Sequence, residues 1–198
     1  MNFYSEYRED QWIWKHILIP ARGFYVDLGC ANPGHGNNTE FLREMGWKGL
    51  AIDGNKSYAD AWTGKAEFVN AVVARPDQTV FWKCVDASLS RAVTPDDIGK
   101  PGVICIPGCQ IEIIPATLDG ILQSKSVDSI DVLSIDIEGA EFDALQTLDL
   151  KVYRPKIIIS EFNTHGIGKD YRVFEYLMAT GDYMAVHQTM ANIIYLRR

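Results

Sequence analysis

Two short apolar runs, each broken at its end by an acid, constrain this chain more than any other feature. The first is Phe24-Tyr-Val-Asp-Leu-Gly-Cys-Ala-Asn32, with Asp27 and Gly29 where the run stops. The second, Gly49-Leu-Ala-Ile-Asp53, stops at an acid 24 residues past that glycine. The pair reads as the first two strands, 24–28 and 49–52, of a nucleotide-binding α/β sheet. Gly29 lacks a Cβ, so the backbone can turn sharply there and a ligand can approach the main chain. Asp53 stands where an acid accepts hydrogen bonds from both ribose hydroxyls of an adenosine.

The charge at the turn separates the candidate cofactors. A dinucleotide site seats a pyrophosphate on a helix N-terminus, usually through G-x-G-x-x-G. Here the glycine is followed by Cys30-Ala31-Asn32, and Asp27 would repel that anion. A sulfonium ligand with an α-ammonium group suits Asp27, which points to S-adenosylmethionine. Asp27, Gly29, Cys30 and Asn32 are expected around its methionine part, Asp53 at the ribose, and Asn70-Ala71 at the adenine edge. Asn70 reads equally well as a plain turn residue. His35 reads either as a cofactor contact or as a turn cap.

Composition bounds the rest. The 198 residues, 47% apolar and 11% aromatic, suffice for one α/β domain over 1–198 with a sizeable core. A net charge of −7, with Arg197-Arg198 the one basic end, argues against a nucleic-acid partner. No apolar run approaches the length of a membrane span, and the start of the chain lacks a signal-peptide core, so a cytoplasmic location is expected. Cys30, Cys84, Cys105 and Cys109 make no paired framework. Buried or loop thiols are the favoured reading, over a loop bridge or half a zinc site at Cys105 and Cys109.

Periodicity gives an alternating order of elements. A helix over Asp10–Ile19, closed by Pro20 and Gly23, would form an N-terminal cover over 1–22. A helix capped by Asn38 or Thr39 runs to about Met45, another spans Asn55–Trp62, and a third strand spans Ala66–Val73. Thr79–Val85 alternates like a strand. Asp86–Gly108 is rich in Ser, Asp, Pro and Gly, and the excursion over 86–110 reads as substrate recognition or plain disorder. Ile111–Ile114 resumes as a strand and Thr117–Gln123 as a helix.

Ile130–Asp136 and Lys156–Glu161 are nearly continuous apolar strands that end in acids, as parallel strands buried on both faces do. A helix is expected to open at Ile137, and another near Tyr171–Thr180. Ligands bind beyond the carboxyl ends of such strands, so Asp27, Asp53, Asp136 and Glu161 should converge on one crevice. The chain closes with strands at Tyr183–His187 and Asn192–Leu196. A terminal hairpin with one strand inserted antiparallel suits a Rossmann-like class I methyltransferase fold, a mostly parallel seven-stranded sheet with helices on both faces.

Several segments carry a more specific resemblance. Val26-Asp-Leu-Gly-Cys-Ala-Asn32, the D-x-E-G-x-E core of Asp136, Glu138, Gly139 and Glu141, the strand Pro155–Glu161 and the closing Asn192-Ile-Ile-Tyr-Leu-Arg resemble the FkbM family of S-adenosylmethionine-dependent methyltransferases. The opening Tyr4-Ser-Glu-Tyr-Arg-Glu-Asp10 is similar to a Tyr-Ser-Gln-x-x-Glu-Asp start found in members. The stretch Pro33–Thr39 departs from the commonest family turn by its length. The resemblance implies O-methylation of a small-molecule, sugar or glycan hydroxyl.

An alcohol acceptor must lose a proton. Asp136, Glu138 or His165 is the candidate general base, His165 reading equally as a solvated loop residue. Glu138 and Glu141 share a helix face or merely favour its dipole. Asp136, Glu161 and Asn163 form a set of hard oxygen ligands that resembles the Mg²⁺ site of catechol-type O-methyltransferases. Two other readings stand: an NAD-dependent oxidoreductase, which must explain Asp27, and a non-catalytic adenosine-cofactor-binding protein. A homo-oligomer is left open.

Overall fold

The computed structural model describes residues 2–77, 80–83, 91–93, 110–164 and 168–198. Among them, β1 (Phe24–Leu28), β2 (Lys48–Asp53) and β3 (Glu67–Asn70) form one half of a sheet. The other half is β7 (Val132–Ile135), β8 (Ile157–Glu161), β11 (Tyr183–Gln188) and β12 (Asn192–Arg197). The spatial order is β3-β2-β1-β7-β8-β12-β11. Pairings from β3 to β8 are parallel, and β12 runs antiparallel to both its neighbours. This is the Rossmann-like methyltransferase architecture expected from the terminal hairpin.

Alternation along each strand divides the core between two faces. Val26, Leu133, Ile158 and Ile193 point to one side, where they pack with Leu118, Leu122, Leu145 and Leu177. These come from α4 (Leu118–Ser124), α5 (Glu141–Leu145) and α6 (Arg172–Thr180). Tyr25, Val132, Ile157, Ile159 and Ile194 face the opposite side and meet Ile13, Phe41 and Leu42, from α1 (Glu9–His16) and α2 (Glu40–Glu44). The continuous Ile157-Ile-Ile159 run is therefore a strand covered on both faces, and a large-to-small change there costs about 2–5 kcal/mol. Among the described residues no helix is long and apolar enough to cross a membrane.

Several expected boundaries move for local reasons. α1 stops at His16 because Ile17 is already extended, in the approach to Pro20. The helix expected over Asn55–Trp62 is a 3₁₀ turn, Lys56–Tyr58, followed by α3 (Ala59–Trp62), with the Asn55 side chain accepting from Ser57 N at 3.1 Å. The third strand ends at Asn70 instead of Val73, and Val73 bridges to Ala116. The helix expected at Ile137 starts only at Glu141, because Glu138 and Gly139 have φ of +61° and +101°, outside helical space.

Two expected strands do not join the main sheet. β4 (Val80–Lys83) and β6 (Gln110–Ile113) pair antiparallel, with β5 (Arg91–Val93) on the other edge of β4. The excursion read as irregular thus contains a strand at 91–93; the rest of 86–109 lies outside the described residues, as do Cys84, Cys105 and Cys109. A short ladder that periodicity did not signal, β9 (Asn163–Thr164) with β10 (Gly168–Lys169), follows β8. His165 lies outside the described residues.

Candidate functional site

The carboxyl ends of β1, β2 and β7 open onto a cavity of about 320 Å³. Asp27, Gly29, Cys30, Asn32, Asp53 and Ala71 line it, together with His35, Asp136 and Glu138. Asn70 does not: its Nδ2 donates to the carbonyls of Asp53 and Gly54 at 2.9 Å each, tying down the loop after β2. Residues that the sequence reading passed over, Asn37, Asn38, Tyr58, Val72 and Ser134, also line the cavity. Asn37 and Asn38 belong to the long turn noted as a departure, where Asn38 was read only as a helix-cap candidate.

The turn is built around Gly29. Its φ is +84°, and a Cβ placed there would stand 1.7 Å from the carbonyl oxygen of Asp136. The glycine therefore lets the β1 turn and the β7 turn touch; Asp136 N donates to Leu28 O at 2.9 Å across the same junction. Gly29 N and Cys30 N both donate to Ile52 O, at 2.9 and 3.2 Å, which ties this junction to β2. Ala31, with φ +45°, carries the chain onward while its carbonyl accepts from Trp62 Nε1 at 2.8 Å. The Cys30 side chain packs with Ala51, Tyr58 and Trp62, and burial pushes its thiol far up, so it is an inert packing group.

Asp27 is 3% exposed. Its Oδ2 accepts from Asn37 Nδ2 at 2.7 Å and from Thr39 Oγ1 at 2.9 Å, while Oδ1 accepts from none of the described residues. Burial pushes its carboxyl up to about 6 against the lowering effect of those two bonds. Asp53 accepts from Ala31 N at 3.0 Å on one oxygen and from Asn55 N at 2.8 Å on the other. Its carboxyl is raised by burial, with both backbone bonds opposing. A carboxylate offers about four lone-pair sites, so two remain for a diol. These features fit an adenosyl ligand with a cationic amino-acid tail.

A second cavity, of about 660 Å³, lies beyond β7 and β8. Asp136, Glu138, Glu161 and Asn163 line it, and Glu6, Gly36, Asn38, Asp136 and Glu138 line both cavities. Asp136 and Glu161 follow paired positions of neighbouring parallel strands. Both carboxyls are raised well above the usual carboxylate range, by burial first and then by surrounding acids, Glu141 and Glu138 leading for Asp136 and Asp136 leading for Glu161. Thr164 Oγ1 donates to Glu161 at 2.9 Å and partly offsets this. Glu141 is pushed up to about 7 by burial although it accepts from Ile137 N and Gly139 N, so its place is to brace the turn that presents Asp136 and Glu138.

Asp136, Glu161 and Asn163 share the cavity, and Asn163 Nδ2 is engaged with Met190 O at 2.9 Å. No group of three or more His, Cys, Asp or Glu among the described residues is close enough to hold an ion.

The N-terminal segment closes the rim. Gly36 N donates to Tyr4 O at 2.7 Å. Asp10, fully buried, accepts from the backbone of Tyr4 and Ser5, while its own N–H donates to Ser5 Oγ at 3.2 Å. Glu9, also fully buried, accepts from Thr189 Oγ1 at 2.8 Å and Asn192 Nδ2 at 2.9 Å in the terminal hairpin. The Tyr4–Asp10 motif is thus a strap between the glycine turn and the hairpin, and it carries Glu6 to both cavities.

A seven-stranded sheet of this order, with an adenosine-type crevice at its carboxyl ends, defines a class I methyltransferase. The Methyltransferase FkbM domain model matches residues 30–184, and the chain belongs to this family of S-adenosylmethionine-dependent methyltransferases. No curated protein sequence matches the chain. Among solved structures, a fibrillarin/Nop5p complex chain superposes with a TM-score of 0.52 at 11% identity, over 98% of this chain and 81% of that one. A TehB-like SAM-dependent methyltransferase from Corynebacterium glutamicum ATCC 13032 Kitasato gives 0.48 at 13% identity, over 98% and 89%. The first of these shows a shared fold and no more.

Proposed function

We infer that the protein methylates a hydroxyl oxygen of a small-molecule or sugar acceptor. The observation that supports this most is the shared wall: Asp136 lines both the adenosine-type cavity and the larger one beyond it. A group exchanged between ligands in the two cavities has to pass this wall.

When bound, S-adenosylmethionine supplies an electrophilic methyl on a sulfonium. Asp53 would hold the ribose through its two spare lone-pair sites, and Asp27 would meet the amino-acid end. Ala71 and Val72 form the wall for the adenine. In the larger cavity the acceptor hydroxyl gives its proton to the Asp136 carboxylate as its oxygen bonds to the methyl carbon. The donor's carbon–sulfur bond would break with the electron pair kept on sulfur. Asp136 suits a base because its raised carboxyl titrates closer to neutrality than an ordinary aspartate. The protein otherwise contributes alignment, which supplies most of the acceleration in a displacement of this kind.

The test combines titration with S-adenosylhomocysteine and methyl transfer to a panel of hydroxylated acceptors. Asp136→Asn should keep S-adenosylhomocysteine affinity within about threefold and lower turnover by about 10²-fold or more. Turnover near that of the parent removes Asp136 as the base. No affinity for S-adenosylhomocysteine overturns the whole reading.

A further inference from the structure

Asn38 stands where the two cavities meet. Of the described residues that line both, Glu6, Asp136 and Glu138 are acids, Gly36 has no side chain, and Asn38 is the one amide. It is 6% exposed, so protein encloses nearly all of it. Its Nδ2 donates to Ser134 Oγ at 3.4 Å, on the strand that leads to Asp136 two residues later. Its two chain neighbours are pinned to Asp27, through Asn37 Nδ2 at 2.7 Å and Thr39 Oγ1 at 2.9 Å. The amide is therefore held in place before any ligand arrives.

Its carbonyl oxygen is left over. Oδ1 accepts from none of the described residues, and it is not sealed in: the unpartnered side-chain atoms closed off from solvent are the Tyr25 hydroxyl and the Asn192 carbonyl. An enclosed side chain whose spare acceptor opens onto a cavity is placed to take a hydrogen bond from a ligand. In the proposed pose the donors of S-adenosylmethionine have other partners, Asp27 for the ammonium and Asp53 for the ribose hydroxyls. The methylated hydroxyl has one proton, and it goes to Asp136. The donor for Asn38 must then be a second O–H on the acceptor.

We propose that Asn38 sets acceptor specificity: its Oδ1 accepts a hydrogen bond from a hydroxyl adjacent to the one methylated, so the substrate class is a 1,2-diol and not a simple alcohol. This rests on the reading of the larger cavity as the acceptor site. Two contacts, one at Asp136 and one at Asn38, fix which lone pair of the acceptor oxygen faces the methyl group. An alcohol lacking the second hydroxyl loses that alignment and leaves the carbonyl unpaired.

The test follows methyl transfer from S-adenosylmethionine to three probes, cis- and trans-cyclohexane-1,2-diol and cyclohexanol, with S-adenosylhomocysteine affinity measured for each protein. One diol isomer should exceed cyclohexanol in kcat/KM by about tenfold or more. Asn38→Leu, of similar size but without the carbonyl, should bring diol and alcohol to within about threefold of each other. Asn38→Asp, which keeps an acceptor oxygen, should restore a preference for the diol. In the parent, equal use of the probes or methylation of none overturns the proposal, with no variant needed. A diol preference that survives in Asn38→Leu overturns it too, and if that variant instead weakens S-adenosylhomocysteine, Asn38 belongs to the cofactor. Absence of S-adenosylhomocysteine binding in the parent would strike the methyltransferase reading of the site, a separate failure.

Discussion

Gly29 and Asp136 touch: the α-carbon of the first faces the carbonyl oxygen of the second so closely that a Cβ would intrude to 1.7 Å. The acid that ends β7 is therefore positioned by the turn that ends β1.

Gly29→Ala is expected to fail on two counts, a clash of its Cβ with the Asp136 carbonyl and a left-handed φ of +84°. Together these should cost at least about 2–3 kcal/mol, measured by urea unfolding. Any folded fraction should also lose turnover, because the displaced carbonyl belongs to the base. A variant with unchanged stability would show that the two turns can part without consequence.

Asp53→Ala should weaken S-adenosylhomocysteine by about 10–100-fold, since it removes charge-assisted bonds to the ribose and leaves Ala31 N and Asn55 N without their acceptor. Asp53→Asn retains shape and one acceptor oxygen, so its loss should be smaller. Calorimetry on both variants decides the point: affinity within about threefold of the parent for the alanine variant means that Asp53 braces the loop and does not hold the ligand.

The sheet and its crevice were legible from particular residues. Asp27, Asp53, Asp136 and Glu161 mark strand ends because an apolar run buried on two faces can stop only where a polar group reaches the crevice; the first three line one cavity, and Glu161 joins Asp136 only in the second. What did not show was long-range. Thr79–Val85 and Ile111–Ile114 have the same alternation as strands of the main sheet, and nothing local says that β4 and β6 pair with each other. Asn70 has the composition of a ligand contact, yet its amide serves two carbonyls. Glu9 resembled part of a family opening without an evident task, because its partners Thr189 and Asn192 lie at the other end of the chain.

Asp136 and Glu161 predict a shifted pH–rate profile. A base raised by burial and neighbouring acids is protonated at mildly acid pH, so kcat/KM should climb through neutrality with an acid limb above the ordinary carboxylate range. Asp136 raises Glu161, and through that coupling Glu161→Gln should move the limb to lower pH. The two groups titrate together, so the limb reports the pair. An unmoved limb would uncouple Glu161 from the base.

A chelator should leave turnover unchanged on any acceptor that the enzyme methylates, because no three His, Cys, Asp or Glu side chains among the described residues come close enough together to hold an ion. Methyl transfer measured with and without EDTA, after dialysis, checks this. Loss of activity restored by Mg²⁺ would assign Asp136 and Glu161 to an ion instead of a proton.

The same buried carboxyls set how the ligand-free protein responds to pH. Asp27 is pushed up to about 6 and Glu141 to about 7, and Asp53, Asp136 and Glu161 are also raised, in each case by burial first. In the unfolded chain such groups titrate near about 4. Above that value the folded state binds more protons than the unfolded state, so the unfolding free energy falls as pH rises. The contribution is fully present below the unfolded values and is lost as pH climbs through the folded ones. Thermal or urea unfolding should therefore show the ligand-free protein more stable at pH 5 than at pH 8, and Asp27→Asn, which keeps an oxygen for Asn37 and Thr39, should flatten the slope. Stability that rises over this interval would mean that cations from outside the described residues already balance these acids.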